Sequence, residues 1–198
     1  MTKKMGRPKR KTGTVLMAVG GILLCAALSL FGFNQWDNSR AEKVVAPVVQ
    51  ALEQQIAAGQ SPSAEESRKQ ETAVVDGRPY IGVLSIPAIG RTLPVLSQWS
   101  YPNLRVSPCL YAGSVLDSTM VIAGHNYAGH FGNLKDLKQG DAVSFTEIGG
   151  KEHRYRVQEV VTLQPGDTAG MLDTDYALTL FTCTYSGRQR VAVRCQAM

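Results

Sequence analysis

The 198-residue chain has neither a Cys-x-x-Cys nor a His-x-x-x-His pair, so a zinc centre lacks its usual ligand spacing. Charge is missing altogether from residues 12–36, and no acidic residue precedes Asp37. The first gap leaves an apolar run at 14–33, 20 residues long, enough at helical rise to cross a hydrocarbon layer of about 30 Å. The second gap leaves Lys3, Lys4, Arg7, Lys9, Arg10 and Lys11 unopposed on the N-terminal flank, so the positive-inside rule puts that flank in the cytoplasm and everything after Trp36 outside. An Ala-x-Ala cleavage site is also lacking. Phe31-Gly32-Phe33-Asn34-Gln35-Trp36 ends the run instead, and Trp36 suits an interfacial anchor, which favours an uncleaved span over a secretory leader.

The formal net charge of +5 disappears when it is partitioned. Six of the 21 basic residues sit in the tail, and the other 15 face 16 acidic residues, so the rest of the chain is about neutral. The basicity is a topology signal and gives no phosphate-binding surface, which excludes nucleic acid as a partner. Cys25 lies in the apolar run, while Cys109, Cys183 and Cys195 follow it. Three cysteines cannot all pair within one chain, so at least one outer thiol is free or joins another molecule.

Four segments follow from composition: a basic tail at 1–13, a transmembrane anchor at 14–36, a helical stalk and linker at 37–72, and a folded domain at 73–198. Val44, Val45, Val48, Val49, Leu52 and Ile56 recur near the helical period, predicting a helix over 41–58 that Pro47 interrupts and Gly59 stops. Residues 60–71 are polar and charged, as a flexible linker would be. From Ala73 onward, short β-branched runs bounded by Gly, Pro, Asn and Asp predict a mostly β domain. Strands are expected at 80–86, 91–96, 119–123, 142–146, 153–163, 176–183 and 190–195, with an eighth short one to close a barrel. One short helix is expected at 132–137.

Three segments of this domain carry chemistry. Leu178-Thr179-Leu180-Phe181-Thr182-Cys183 is an apolar strand ending in a thiol, which sets the thiol at the rim of a sheet. Val121-Ile122-Ala123-Gly124-His125-Asn126 runs a second apolar strand into a histidine, and Arg190 opens a short strand seven residues after Cys183. A thiol, an imidazole that titrates near neutrality and a fixed cation are what acyl transfer through a thioester needs. Strand alternation puts Arg190, Ala192 and Arg194 on one face, so periodicity alone leaves Arg194 as a rival, and Arg188 falls in a turn. His130 belongs to a loop, and His153 opens a strand among charged neighbours, as a surface residue does. Thr182 either orients a partner through its hydroxyl or is simply a β-branched strand former.

These segments resemble the sortase family. Thr179-Leu180-Phe181-Thr182-Cys183 matches its Thr-Leu-x-Thr-Cys pattern, Ala123-Gly124-His125-Asn126 its histidine segment, and Arg190-Val191-Ala192-Val193 its arginine strand. Tyr80-Ile81-Gly82-Val83-Leu84-Ser85-Ile86-Pro87 is similar to its first strand. The resemblance implies a closed β-barrel of about eight strands with short helices, behind a single-pass anchor. It implies Cys183 as nucleophile, His125 as general acid and base, and Arg190 steadying the oxyanion. Asn126, Thr182 and Leu172 would meet substrate, the last from a groove wall at 164–172. The implied reaction cleaves a Leu-Pro-x-Thr-Gly-like motif in secreted proteins and passes the acyl group to a peptidoglycan precursor or a pilin lysine. No cofactor is implied. Some relatives use calcium in the loop before the cysteine strand, but Asp167, Asp173 and Asp175 form no clear cage, so no metal is expected. No second span, Asp-Pro-aromatic lid or long helical insertion is found, which points to class A-like or class D-like members. The same Cys and His would also suit a peptidase or amidase transferring to water, or an inactive anchored binding module.

Overall fold

The computed structural model describes residues 11–58, 70–172 and 175–198. The basic tail before Lys11, Gly59, most of the linker expected at 60–71, and Asp173 lie outside the described residues. The chain divides into two compact units, Met1–Asp37 and Asn38–Met198, and helix α1 (Lys11–Ala57) contributes to both. In the first unit Gly13–Trp36 is helical and apolar over 24 residues, with none of it buried. Val15, Leu16, Ile22, Leu23 and Leu28 all face outward, as side chains of a lipid-facing helix do. The hydroxyl of Ser29 donates to the carbonyl of Cys25 at 2.8 Å, so its polar group is satisfied within the helix.

In the second unit α1 does not break at Pro47, contrary to the sequence expectation. A mid-helix proline costs roughly 3 kcal/mol. Val45, Val48, Val49 and Leu52 are buried in the barrel's own core cluster, and at about 1.5 kcal/mol or more apiece they outweigh that penalty.

The strands are β1 (Ala73–Val75), β2 (Arg78–Ile86), β3 (Arg91–Leu96), β4 (Cys109–Ala112), β5 (Met120–Ala123), β6 (Ala142–Glu147), β7 (Glu152–Leu163), β8 (Leu178–Cys183) and β9 (Arg190–Ala197). Two of them, β1 and β4, were not expected individually. Asp76 and Gly77, with φ of 50° and 71°, form the two-residue turn that folds β1 onto β2, the Asp-Gly signature of a tight hairpin. The expected helix at 132–137 is a single 3-10 turn, Leu134–Asp136, and short helices α2 (Tyr101–Leu104) and α3 (Ala169–Leu172) occupy segments read as loops.

The sheet runs β1-β2-β3-β4-β5-β8-β9-β7-β6, and β6 returns to pair with β2, which closes eight strands into a barrel and leaves β1 as an appendage. Closure requires backbones to approach at Gly82, where any Cβ would strike the Thr146 carbonyl and the Phe145 ring. Leu84, Leu93, Ile122, Phe145, Val157, Leu180 and Val193 fill the interior. The weak seam lies between β3 and β4, whose only register pair is Leu96 with Cys109. The amide of Leu96 donates to the Pro108 carbonyl at 2.9 Å, and the buried Ser107 hydroxyl donates to the carbonyl of Pro94. Replacing Ser107 with Ala leaves that carbonyl unpaired, and we expect a loss of about 1 kcal/mol in denaturant unfolding with the slope unchanged.

Candidate active site

Backbone register brings the three sequence candidates together. Strands β5 and β8 run parallel, pairing Val121 with Thr179, Ile122 with Leu180 and Ala123 with Phe181. The Gly124 amide extends this ladder to the Phe181 carbonyl at 3.0 Å, so His125, the next residue, follows just past the end of β5 on the side of β8. On the other side β9 runs antiparallel and pairs Arg190 with Cys183 directly. Cys183 and Arg190 thus sit side by side on neighbouring strands about 4.8 Å apart, and His125 leaves the strand that flanks β8 on its other edge.

The rival arginine is committed elsewhere. Arg194 donates to Glu159 Oε1 and to the Gly170 carbonyl, each at 2.7 Å, which pins α3 to the barrel. That bond holds the Glu159 carboxyl below its ordinary range. Among the described residues Arg190 donates to carbonyls of its own hairpin, Gly187 at 3.3 Å and Gln189 at 3.1 Å. The three thiols of the second unit separate similarly. All are free; Cys109 and Cys195 are fully buried and burial pushes each thiol up to about 12, whereas Cys183 is partly exposed.

His125 is held from two sides. The Tyr127 ring stacks on it at 4.1 Å with planes 7° apart, and its Nδ1 faces Asn126 Oδ1 at 3.4 Å. With the proton on Nδ1, that atom donates to Asn126. Asn126 Nδ2 in turn donates to the Thr184 carbonyl at 3.4 Å, tying the histidine loop to the residue after Cys183. The loop turns back through the amides of His130 and Gly132 on the Tyr127 carbonyl, and Phe131 buries its ring where a Cβ on Gly124 would stand. Tyr127 was not singled out from the sequence; an aromatic two residues beyond a strand-end histidine is the available signal.

His130, expected in a loop, is there but fully buried, its ring 5.6 Å from that of Tyr127. Burial, then the charges of His125 and Arg91, lowers its pKa to about 4. His153 is less exposed than expected, because its ring lies against the carboxylate of Glu147.

A second apolar cluster packs on β5, β8 and β9. Val121, Ala123, Met171, Phe181 and Ala192 are buried in it, with Tyr111, Leu163 and Leu172 packed against them, so the expected wall residue Leu172 lies over these strands within α3. Asp167 of the same segment accepts the Gly170 amide at 2.9 Å, so it acts as a helix-capping carboxylate. Rings continue outward from Phe181 to Tyr111 at 5.1 Å, then Trp99 at 5.7 Å and Tyr101 at a further 5.2 Å. A cleft of about 160 Å³ borders Cys183 and is lined by Asn126, Gly132, Lys135, Thr182, Thr184, Tyr185 and Val191. Thr182 is thus at the site, with its hydroxyl buried.

A family model described as the Sortase domain matches residues 84–198. Among solved structures, sortase C1 of Streptococcus agalactiae is 28% identical over 70% of this chain and 78% of its own, with a TM-score of 0.56. A Clostridium perfringens sortase D5 transpeptidase is 20% identical over 79% and 99%, with a TM-score of 0.62. Sortase A of Corynebacterium diphtheriae is 22% identical over 87% and 95%, with a TM-score of 0.56. No curated protein matches the sequence.

Because the folded pKa of His130 lies near 4 and the unfolded value near 6.5, the unfolded chain binds the extra proton between them. The contribution of neutral His130 is therefore complete above about pH 6.5 and is lost as pH falls toward 4, to the extent of roughly 3 kcal/mol at most. Thermal unfolding across that window should show a steeper loss of stability in the wild type than in His130→Gln.

Proposed function

The chain belongs to the sortase family, and on that premise we propose that it is a membrane-anchored cysteine transpeptidase whose catalytic residues are His125, Cys183 and Arg190. The observation that supports this reading is the register that pairs Arg190 with Cys183, with His125 following directly on β5, the parallel neighbour of β8. The apolar helix at Gly13–Trp36 serves as a single-pass anchor, with the basic tail in the cytoplasm and the barrel outside.

In this mechanism the donor segment, of Leu-Pro-x-Thr-Gly type in a secreted protein, lies over the second apolar cluster against its partly exposed members Tyr111, Leu163 and Leu172. The Cys183 thiolate attacks the carbonyl after the threonine, and Arg190 turns from its hairpin carbonyls to the oxyanion. His125 protonates the leaving amine as the C–N bond breaks, which leaves a thioester on Cys183. An incoming amine then attacks, His125 takes its proton, and the C–S bond breaks to give the new amide. Tyr127 and Asn126 keep the imidazole ring in the plane this cycle needs.

The test is intact mass of the detergent-solubilised full chain incubated with Leu-Pro-x-Thr-Gly-type peptides, with and without triglycine. Wild type should show an acyl adduct that triglycine converts to ligated peptide, while Cys183→Ala shows neither. Hydrolysis that triglycine never diverts would replace transpeptidation by peptidase chemistry, and absence of any adduct would sink both. Arg190→Ala should reduce adduct formation roughly 100-fold. Tyr127→Ala should lower kcat on the order of tenfold with KM little changed, since the ring stacks on His125 and would act by orienting it.

A further inference from the structure

On the transpeptidase reading, the acyl half of the donor is a whole secreted protein. While Cys183 holds it, the chain before the motif has to leave the site across some surface, and the rings that continue outward from Phe181 offer one. Phe181 stands two positions before Cys183 on β8, about 7 Å along the strand. From there the steps are 5.1 Å to Tyr111, 5.7 Å to Trp99 and 5.2 Å to Tyr101. Leu-Pro-x-Thr, extended, reaches about 13 Å, so laid along this row it ends near Tyr111. Trp99 and Tyr101 lie past that end, where the next residues upstream would run. They are 39% and 75% exposed, and two large aromatics exposed side by side form a contiguous patch of the kind that marks an interaction site. The segment that carries them is braced. The Ser100 hydroxyl accepts the Asn103 amide at 3.1 Å, Asn103 Nδ2 donates to the Gln98 carbonyl at 3.0 Å, and Leu104 packs against both apolar clusters. A platform fixed before binding has less to lose in entropy when it is occupied.

The chemistry of the patch narrows its occupant. Residues 97–104 carry no charge, so the row offers ring faces and edges and no ionic partner of its own. A charged segment laid there would lose hydration with nothing to pair with. An extended proline-containing segment loses little, because its backbone is already stiff, and at about 3.1 Å per residue it brings a residue to every ring step of two positions. We propose that Trp99 and Tyr101 form a docking platform for the donor chain upstream of the motif, and that they select donors in which this stretch is an extended, proline-containing apolar segment. The proposal rests on the transpeptidase reading, and no bond forms or breaks at the platform itself.

The experiment gives the detergent-solubilised full chain equal concentrations of two donor peptides, with triglycine as acceptor. Both carry one Leu-Pro-x-Thr-Gly-type motif, preceded by Pro-Val-Pro-Pro in the first and by Gly-Ser-Gly-Ser in the second. The readout is the ratio of the two ligated products by mass at early conversion, so any change in the chemical step common to both cancels. The wild type should favour the proline peptide about fivefold. Tyr101→Ala should bring that to about twofold, and Trp99→Ala with Tyr101→Ala to near one, whereas Tyr101→Phe keeps the preference because the ring and not the hydroxyl makes the contact. Tyr101 is exposed, so its replacement tests the platform even if loss of Trp99 disturbs folding. A wild-type ratio of one overturns the proposal and spares the transpeptidase reading. A preference that Tyr101→Ala leaves intact does the same, since the stiffness of the peptide alone would then account for it. Failure of both peptides to form any acyl product removes the transpeptidase reading and the platform with it.

Discussion

Everything at the site depends on the register of three adjacent strands. A strand's side chains alternate between faces, so a slip of one residue in β8 would turn Cys183 inward and present Thr182 outside. The barrel interior prevents this. Ile122, Leu180, Val193 and Cys195 have no measurable exposure, and each sits one residue out of phase with the outer row. A slip of β8 would drive Leu178 and Leu180 out of this interior together, at about 1.5 kcal/mol or more for each. The packing that stabilises the barrel is therefore the same packing that aligns thiol, imidazole and guanidinium.

The barrel also decides which thiol can react. Cys195 lies on β9 and Cys109 on β4, both close in sequence space to apolar neighbours much like those of Cys183. They differ in where alternation sends them. Burial raises both inner thiols to about 12, so neither supplies thiolate at neutral pH. Cys183, at the last position of β8, keeps partial exposure and borders the cleft. One fold thus yields inert and accessible sulfur from the same residue type.

The parts of this fold legible in the sequence were those whose signals are local. Arg91–Leu96 and the cysteine strand stand out because β-branched and apolar residues run between turn-forming neighbours. The short β4 does not, since its pairing with β3 consists of one residue pair and a serine hydroxyl, both supplied by segments distant in sequence. Pro47 misled for the same reason: its penalty is local and the burial of Val45, Val48, Val49 and Leu52 that offsets it is not. At the site, alternation could not separate Arg190 from Arg194, because they share a face. Only the contacts of Arg194 with Glu159 and Gly170, contributed by two other elements, do so. Tyr127 escaped because a tyrosine declares no contact with His125 until the loop between β5 and β6 folds back on itself.

The two histidines of that loop show why burial matters to acid-base chemistry as well as to packing. Were His130 protonated, a second positive ring would stand behind Tyr127 and oppose the imidazolium that the proposed mechanism requires of His125. Enclosure under Phe131 and Tyr127 lowers the His130 pKa to about 4, with the neighbouring charges of His125 and Arg91 acting in the same direction. Above that pH only one ring of the pair cycles a proton. His130 then acts as an uncharged filler that supports the tyrosine, and Tyr127 lies as a neutral aromatic plate between an imidazole that changes charge and one that does not. A stacked ring tolerates either protonation state of His125 without moving, because its π face attracts the cation and its surface packs equally well on the neutral form. A hydrogen-bonding partner in the same place would favour one state and oppose the other. The stack thus lets the general acid and the general base be the same residue in the same position, as a two-step acyl transfer demands.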